Sequence, residues 1–258
     1  MAHTGTAHFL AVARPRGSAV HRLDARAKIL GLIGFTVVVV TTPGSAVWAF
    51  VLYAAVLAFL VGLARLPLGY VLKRALIVIP FVVVVAIFIP FFHKSGAGGY
   101  SIGGARVTTE GLLVLWNAGA KAVLGVLSVI VLGSTTSFPD MVSGFERLRA
   151  PKVFILIVSF MYRYSFVFVE ELRRMQRAMA SRNYRARWLW NVPTLGRMLS
   201  ALFLRSYNRG ERVYVAMLSR GYEGTVGKLG GSPFRATDTL FLFVLLGTAV
   251  AIRVFSSF

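Results

Sequence analysis

Cysteine is absent from all 258 residues, which excludes disulfides, thiol catalysis and thiolate metal sites together. Acidic residues are scarce: nine Asp and Glu stand against 29 Lys and Arg, a formal net charge of +20. No G-x-x-x-x-G-K-[ST] stretch occurs, so the chain carries no P-loop of its own. The glycine-rich run Ser95-Gly96-Ala97-Gly98-Gly99-Tyr100-Ser101-Ile102-Gly103-Gly104 lacks the lysine and reads as a flexible linker, not a phosphate cradle. His3, His8, His21 and His93 do not cluster with carboxylates at ligand spacing, which argues against a catalytic metal centre. No Ser/His/Asp set or carboxylate pair is arranged for catalysis. The expectation is a protein without catalytic residues, cofactor or metal.

What is abundant is apolar sequence. Hydrophobic residues make up 57% of the chain, and they fall in long runs, as in an integral membrane protein. Four segments come first, at 26–42, 45–64, 74–92 and 110–132, with further runs at 153–169 and 237–255. The first is read as a retained span and not a signal peptide, since no small-residue cleavage site and soluble domain follow it. Those spans hold almost no ionisable groups, which argues against a carrier with its own midplane ion site.

Charge placement orients them. The N-terminal segment, the loop with Arg65, Lys73 and Arg74, and the stretch with Arg147, Arg149 and Lys152 are basic, whereas 43–45 and 93–109 carry little charge. The positive-inside bias then makes the N-terminus cytoplasmic. Were 153–169 to cross, the basic region 173–235 would lie outside and Arg163 would sit in mid-membrane. The expected fold is therefore an all-α integral membrane protein with about five transmembrane helices and a cytoplasmic coupling domain of amphipathic helices. Its parts are a cytoplasmic segment 1–25, four spans over 26–132, coupling helices over 133–235 and a last span at 236–258.

Between the fourth and last spans, Ser137-Phe138-Pro139-Asp140 has helix-start chemistry. Met141, Phe145 and Leu148 follow as an apolar stripe. Phe166, Val169, Leu172, Met175 and Met179 mark one face of a long helix reaching Arg182. Two shorter amphipathic helices are predicted at 195–207 and at about 208–220. Positive-inside bias and anionic headgroups account for most of the basic charge here, and no nucleic-acid-reading module accompanies it, so nucleic acid is not an expected partner.

The most specific feature is a heptapeptide that occurs twice. Ala178-Met179-Ala180-Ser181-Arg182-Asn183-Tyr184 reappears as Ala216-Met217-Leu218-Ser219-Arg220-Gly221-Tyr222. Asn and Gly close helices in the left-handed conformation, so each arginine falls at a helix end, where it complements the negative pole of the dipole. Two matched arginine ends on soluble segments point to two matched contacts outside the bilayer.

These residues resemble the transmembrane T component of energy-coupling factor (ECF) transporters, most closely the CbiQ type of cobalt importers. The similarity is carried by His21-Arg22-Leu23-Asp24-Ala25-Arg26-Ala27-Lys28, Arg147-Leu148-Arg149-Ala150-Pro151, Arg163-Tyr164, Glu170-Glu171-Leu172-Arg173-Arg174-Met175, Phe203-Leu204-Arg205-Ser206-Tyr207, Glu211-Arg212-Val213-Tyr214 and both arginine motifs. It covers nearly the whole length.

The resemblance implies a non-catalytic coupling subunit of an ATP-driven importer in the plasma membrane of a prokaryote. Its partners would be two cytoplasmic ABC-type ATPases, a membrane-embedded substrate-binding S component and the lipid bilayer. Ala180, Ser181, Arg182 and Asn183, with Leu218, Ser219, Arg220 and Gly221, would be the ATPase-docking positions. Asn183 departs from the glycine common in the family, but Asn still permits the left-handed cap. Cobalt is the expected cargo, with nickel or a vitamin as alternatives. A different class, a membrane-embedded enzyme acting on an anionic lipid or phosphorylated substrate, would need better-arranged acids than Asp140, Glu146, Glu170, Glu171 and Glu211 provide.

Overall fold

The computed structural model describes residues 18–44, 46–77, 80, 84, 99–102, 105–182, 192–224 and 234–256. Among them are eight α-helices, a 3-10 helix at Ala19–Arg22 and one short hairpin. Helix α1 is Ala25–Thr41, α2 Val47–Leu63, α3 Leu68–Leu76, α4 Thr109–Thr135, α5 Phe138–Arg147, α6 Lys152–Ser181, α7 Val192–Leu218 and α8 Ala236–Phe255. The chain divides into two compact units, 1–144 with 232–258 and then 145–231.

In the first unit, α1 packs on α4 and α8, while α2 and α3 also pack on α4. The core is apolar: Phe35, Val39, Tyr53, Leu57, Val131, Leu245 and Ala249 are buried. Tyr53 joins three helices there. Its ring meets Phe35 edge-on at 5.6 Å, and its hydroxyl lies 3.1 Å from Thr42 Oγ1 and donates to the Ala249 carbonyl at 3.3 Å. Helix α1 approaches α8 closely at Gly34, where a Cβ would come within 2.7 Å of Leu246 Cδ2. Small residues at such crossings let membrane helices pack without a hydrophobic driving force.

One end of this unit is closed by buried polar groups. The Asp238 carboxylate, 2% exposed as a residue, accepts the backbone N–H of Asp24 at 2.9 Å and that of Arg235 at 2.8 Å. Asp24 caps α1 by accepting from the Arg26 N–H at 2.9 Å. The Lys28 ammonium, also buried, donates to the Thr135 carbonyl at 3.0 Å and to that of His21 at 3.3 Å. The segment 21–28 thus ties together the start of α1, the end of α4 and the start of α8. Each contact is charge-assisted, worth roughly 1.5–3 kcal/mol where buried.

The spans 26–42, 45–64, 110–132 and 237–255 find their helices in α1, α2, α4 and α8. The expected span 74–92 lies, apart from 74–77, Pro80 and Val84, outside the described residues, and α3 begins earlier, at Leu68. The linker expectation for 95–104 is corrected in part. Gly99–Ile102 pairs antiparallel with Ala105–Thr108, in register Gly99↔Thr108 to Ile102↔Ala105. β-Forming residues on both sides of Gly103-Gly104 are a hairpin signal that outweighs the glycine content.

The second unit contains α6 and α7, which pack on each other. Helix α6 runs unbroken for 30 residues to Ser181, as the apolar periodicity implied. The two helices expected at 195–207 and 208–220 are instead one 27-residue helix, α7. Gly210 lies inside it, and an interior glycine costs only about 1 kcal/mol, too little to break a long amphipathic helix. By length and composition Trp116–Thr135, Lys152–Ser181 and Ala236–Phe255 suffice to cross a membrane. Hydropathy alone thus admits α6 as a span, whereas charge placement argued against it, because hydropathy does not weigh the basic residues that follow.

At α5, Ser137 caps the helix as expected: its hydroxyl bonds the Asp140 carboxylate and accepts the Asp140 N–H. Val142 and Gly144 are buried, whereas of the apolar stripe Phe145 is exposed and Met141 and Leu148 are half-buried.

Candidate docking ends and the tie between their helices

The two arginine motifs end α6 and α7 with the same hydrogen bonds. Ser181 Oγ donates to the Arg177 carbonyl at 2.8 Å, and Ser219 Oγ to the Val215 carbonyl at 3.0 Å. The Arg182 N–H reaches the Met179 carbonyl at 3.1 Å, and the Arg220 N–H reaches that of Met217 at 3.0 Å. Both serines therefore back-bond to the carbonyl four residues earlier, and in the second copy that carbonyl also accepts the Ser219 N–H at 3.0 Å.

Beyond Arg220 the cap is complete. Gly221 has φ +77°, its N–H bonds the Leu218 carbonyl at 3.0 Å, and the Tyr222 N–H bonds that of Met217 at 3.1 Å. This is a Schellman motif with Arg220 as C-cap and Gly221 at C′. It also accounts for the rest of the repeat. Met217 and Tyr222 occupy the C3 and C″ positions that pack together in such caps, and both are half-buried while Leu218 to Gly221 are exposed. In the first copy Arg182 is the C-cap, at φ −89° and ψ 20°. Asn183 lies outside the described residues.

Ala180, Ser181 and Arg182 are exposed, as are Leu218, Ser219, Arg220 and Gly221. Neither arginine has an ion-pair partner among the described residues. Each guanidinium presents a planar donor fork suited to a carboxylate. The chemistry available is recognition by charge and shape. No group of three or more His, Asp or Glu that could hold a metal occurs among the described residues.

What sequence periodicity did not reveal is how α6 and α7 are joined. Glu171, with its side chain 17% exposed, forms an ion pair with Arg205 across the two helices and a second with Arg174 at 3.4 Å. Arg174 also reaches Glu170 at 3.4 Å. Glu171 and Arg205 both lie in stretches that carry the family resemblance, which was the available signal. A second unforeseen feature is Arg149, at φ +67°. Its N–H bonds the Glu146 carbonyl and the Ala150 N–H bonds that of Phe145, both at 3.1 Å, so it occupies a Schellman C′ position normally left to glycine.

The cobalt transport protein family, CbiQ, matches residues 16–229. An energy-coupling factor transporter transmembrane protein, EcfT, of Brevibacillus brevis is 31% identical over 232 residues, 83% of this chain and 84% of that one. The EcfT of Listeria innocua is 25% identical over 225 residues, again 83% and 84%. A cobalt transport protein CbiQ of Rhodobacter capsulatus is 28% identical over 225 residues, 86% of each. With its apolar helices, matched helix ends and a match that takes in both arginine motifs, the chain belongs to the CbiQ family of membrane transport proteins.

Proposed function

We propose that this chain is the transmembrane coupling subunit of an ATP-driven ECF-type importer, with cobalt as the cargo and nickel or a vitamin as the alternatives. The observation that carries the reading is the pair of exposed helix ends with the same hydrogen-bond pattern around Arg182 and Arg220. Two like ends suit two like partners. Each would enter a groove on one of two cytoplasmic ABC-type ATPases, Ala180–Asn183 in one and Leu218–Gly221 in the other. Closure of the ATPase pair on ATP would displace both ends, and α6 and α7 would pass that movement to a membrane-embedded substrate-binding subunit. The chain itself hydrolyses nothing in this scheme.

In the same reading the protein lies in a prokaryotic plasma membrane with a cytoplasmic N-terminus. Residues 153–169 stay at the inner surface, which keeps the basic region 173–235 inside. The test is co-purification of the ATPases with the wild type and with Arg182→Glu/Arg220→Glu. Removing a desolvated arginine fork costs about 2–5 kcal/mol, much of it the stranded partner charge, so the double variant should retain no ATPase while remaining folded. Equal retention would reduce the arginines to helix caps.

A further inference from the structure

We propose that the first unit holds an anionic phospholipid in the groove between α2 and α8, its phosphate between Arg22 and Arg235. The groove has a volume of about 1020 Å³ and an almost wholly apolar lining that includes Phe59, Leu63, Leu240 and Val244. Two cations stand in that lining, Arg22 and Arg235. Both are exposed, and neither has an ion-pair partner among the described residues. A ligand with an anionic head and an apolar body answers both features, and basic pockets between membrane helices on the cytoplasmic side bind anionic lipid headgroups.

The buried polar tie described above places these arginines. Asp238 receives the backbone N–H of Arg235 and that of Asp24, two residues after Arg22. This brings the start of α1 and the start of α8 to one end of the groove. Asp238 directs its two oxygens at these backbone donors, and Asp24 accepts the Arg26 N–H. In the orientation proposed above, that end lies at the inner leaflet. Acyl chains then run along Leu63, Phe59 and Val244 through the inner half of the bilayer, about 15 Å deep, and tails of the opposite leaflet fill the remainder.

The experiment measures lipid retained by the purified, delipidated chain in native mass spectrometry, with dioleoyl-phosphatidylglycerol, dioleoyl-phosphatidylcholine and inorganic phosphate as probes. Wild type should retain the glycerol lipid at least tenfold better than the choline lipid, and millimolar phosphate should not displace it. Arg22→Gln/Arg235→Gln should weaken retention about thirtyfold. Val244→Trp, which fills the groove at a lipid-facing position, should weaken it as well, and Lys73→Gln should not. Equal retention of both lipids, or an unaffected double variant, would overturn the proposal. Displacement by phosphate would make the arginines a site for soluble anions and overturn it too. So would a Val244→Trp variant that keeps the lipid but loses its substrate-binding partner, since the groove would then be a protein interface. ATPase co-purification is not involved, so failure here leaves the importer reading standing.

Discussion

Asp238 at the head of α8 accepts the backbone N–H of Asp24, 214 residues earlier, at 2.9 Å. That bond joins the first helix to the last and is buried with the Lys28 contact to Thr135. A buried carboxylate serving two backbone donors cannot be removed without stranding both.

Asp238→Ala is therefore expected to destabilise the protein by about 3–5 kcal/mol, as for a broken buried charge contact. Asp238→Asn keeps one acceptor and should cost about half as much. Thermal unfolding in detergent, followed by size exclusion, gives the ranking. A midpoint unchanged in both variants would show that the contact contributes nothing.

Exchanging the charges of the α6–α7 pair tests whether it acts as a tie. Glu171→Arg alone sets two cations against each other at Arg205 and should cost about 1 kcal/mol, within the range for exposed pairs. Adding Arg205→Glu should recover most of that loss. A double-mutant cycle on unfolding midpoints reads the coupling energy, and zero coupling would mean the pair is incidental.

Arg149→Gly should stabilise the second unit by up to about 1 kcal/mol, because only glycine adopts a positive φ without a Cβ penalty. The readout is the unfolding midpoint together with substrate uptake. Loss of uptake despite a raised midpoint would give the arginine side chain a role beyond the cap.

The absence of cysteine makes topology directly measurable. Single substitutions Glu223→Cys and Ser256→Cys should label from opposite sides of the membrane, position 223 only from the cytoplasmic face and 256 only from outside. Labelling of 223 from outside and of 256 from the cytoplasm would mean that α6 crosses as well and would overturn the proposed span count, and labelling of both from the same side would mean that α8 does not cross.

Features set by neighbouring residues were the legible ones. Ser-Arg-Gly announces a helix end because its serine, arginine and glycine each act on backbone groups within five residues, and α1, α2, α4 and α8 announce themselves by continuous apolar sequence. Periodicity also carried α6 to Arg182. It failed at α7, where Asn208 and Gly210 resemble a break but cost less than the amphipathic face supplies. Long-range features could not be read at all. Nothing near Asp238 in sequence indicates that its partner is Asp24, and Arg149 adopts a backbone conformation that propensity assigns to glycine. The motif from His21 to Lys28 was recognised by resemblance before its physical purpose was visible. Its Asp24 N–H reaches Asp238 at the start of α8, and its Lys28 ammonium reaches the Thr135 carbonyl at the end of α4.

The Glu171–Arg205 pair fastens α6 to α7 partway along each helix. From it, α6 continues 11 residues to Arg182 and α7 continues 15 to Arg220, so the arms beyond the pair are roughly 16 Å and roughly 22 Å long at about 1.5 Å per residue. Turning each helix about the pair by about 10° would sweep Arg182 through roughly 3 Å and Arg220 through roughly 4 Å. Equal displacement of the two ends must then swing α6 through the larger angle. A symmetric pull on this chain leaves as an asymmetric twist.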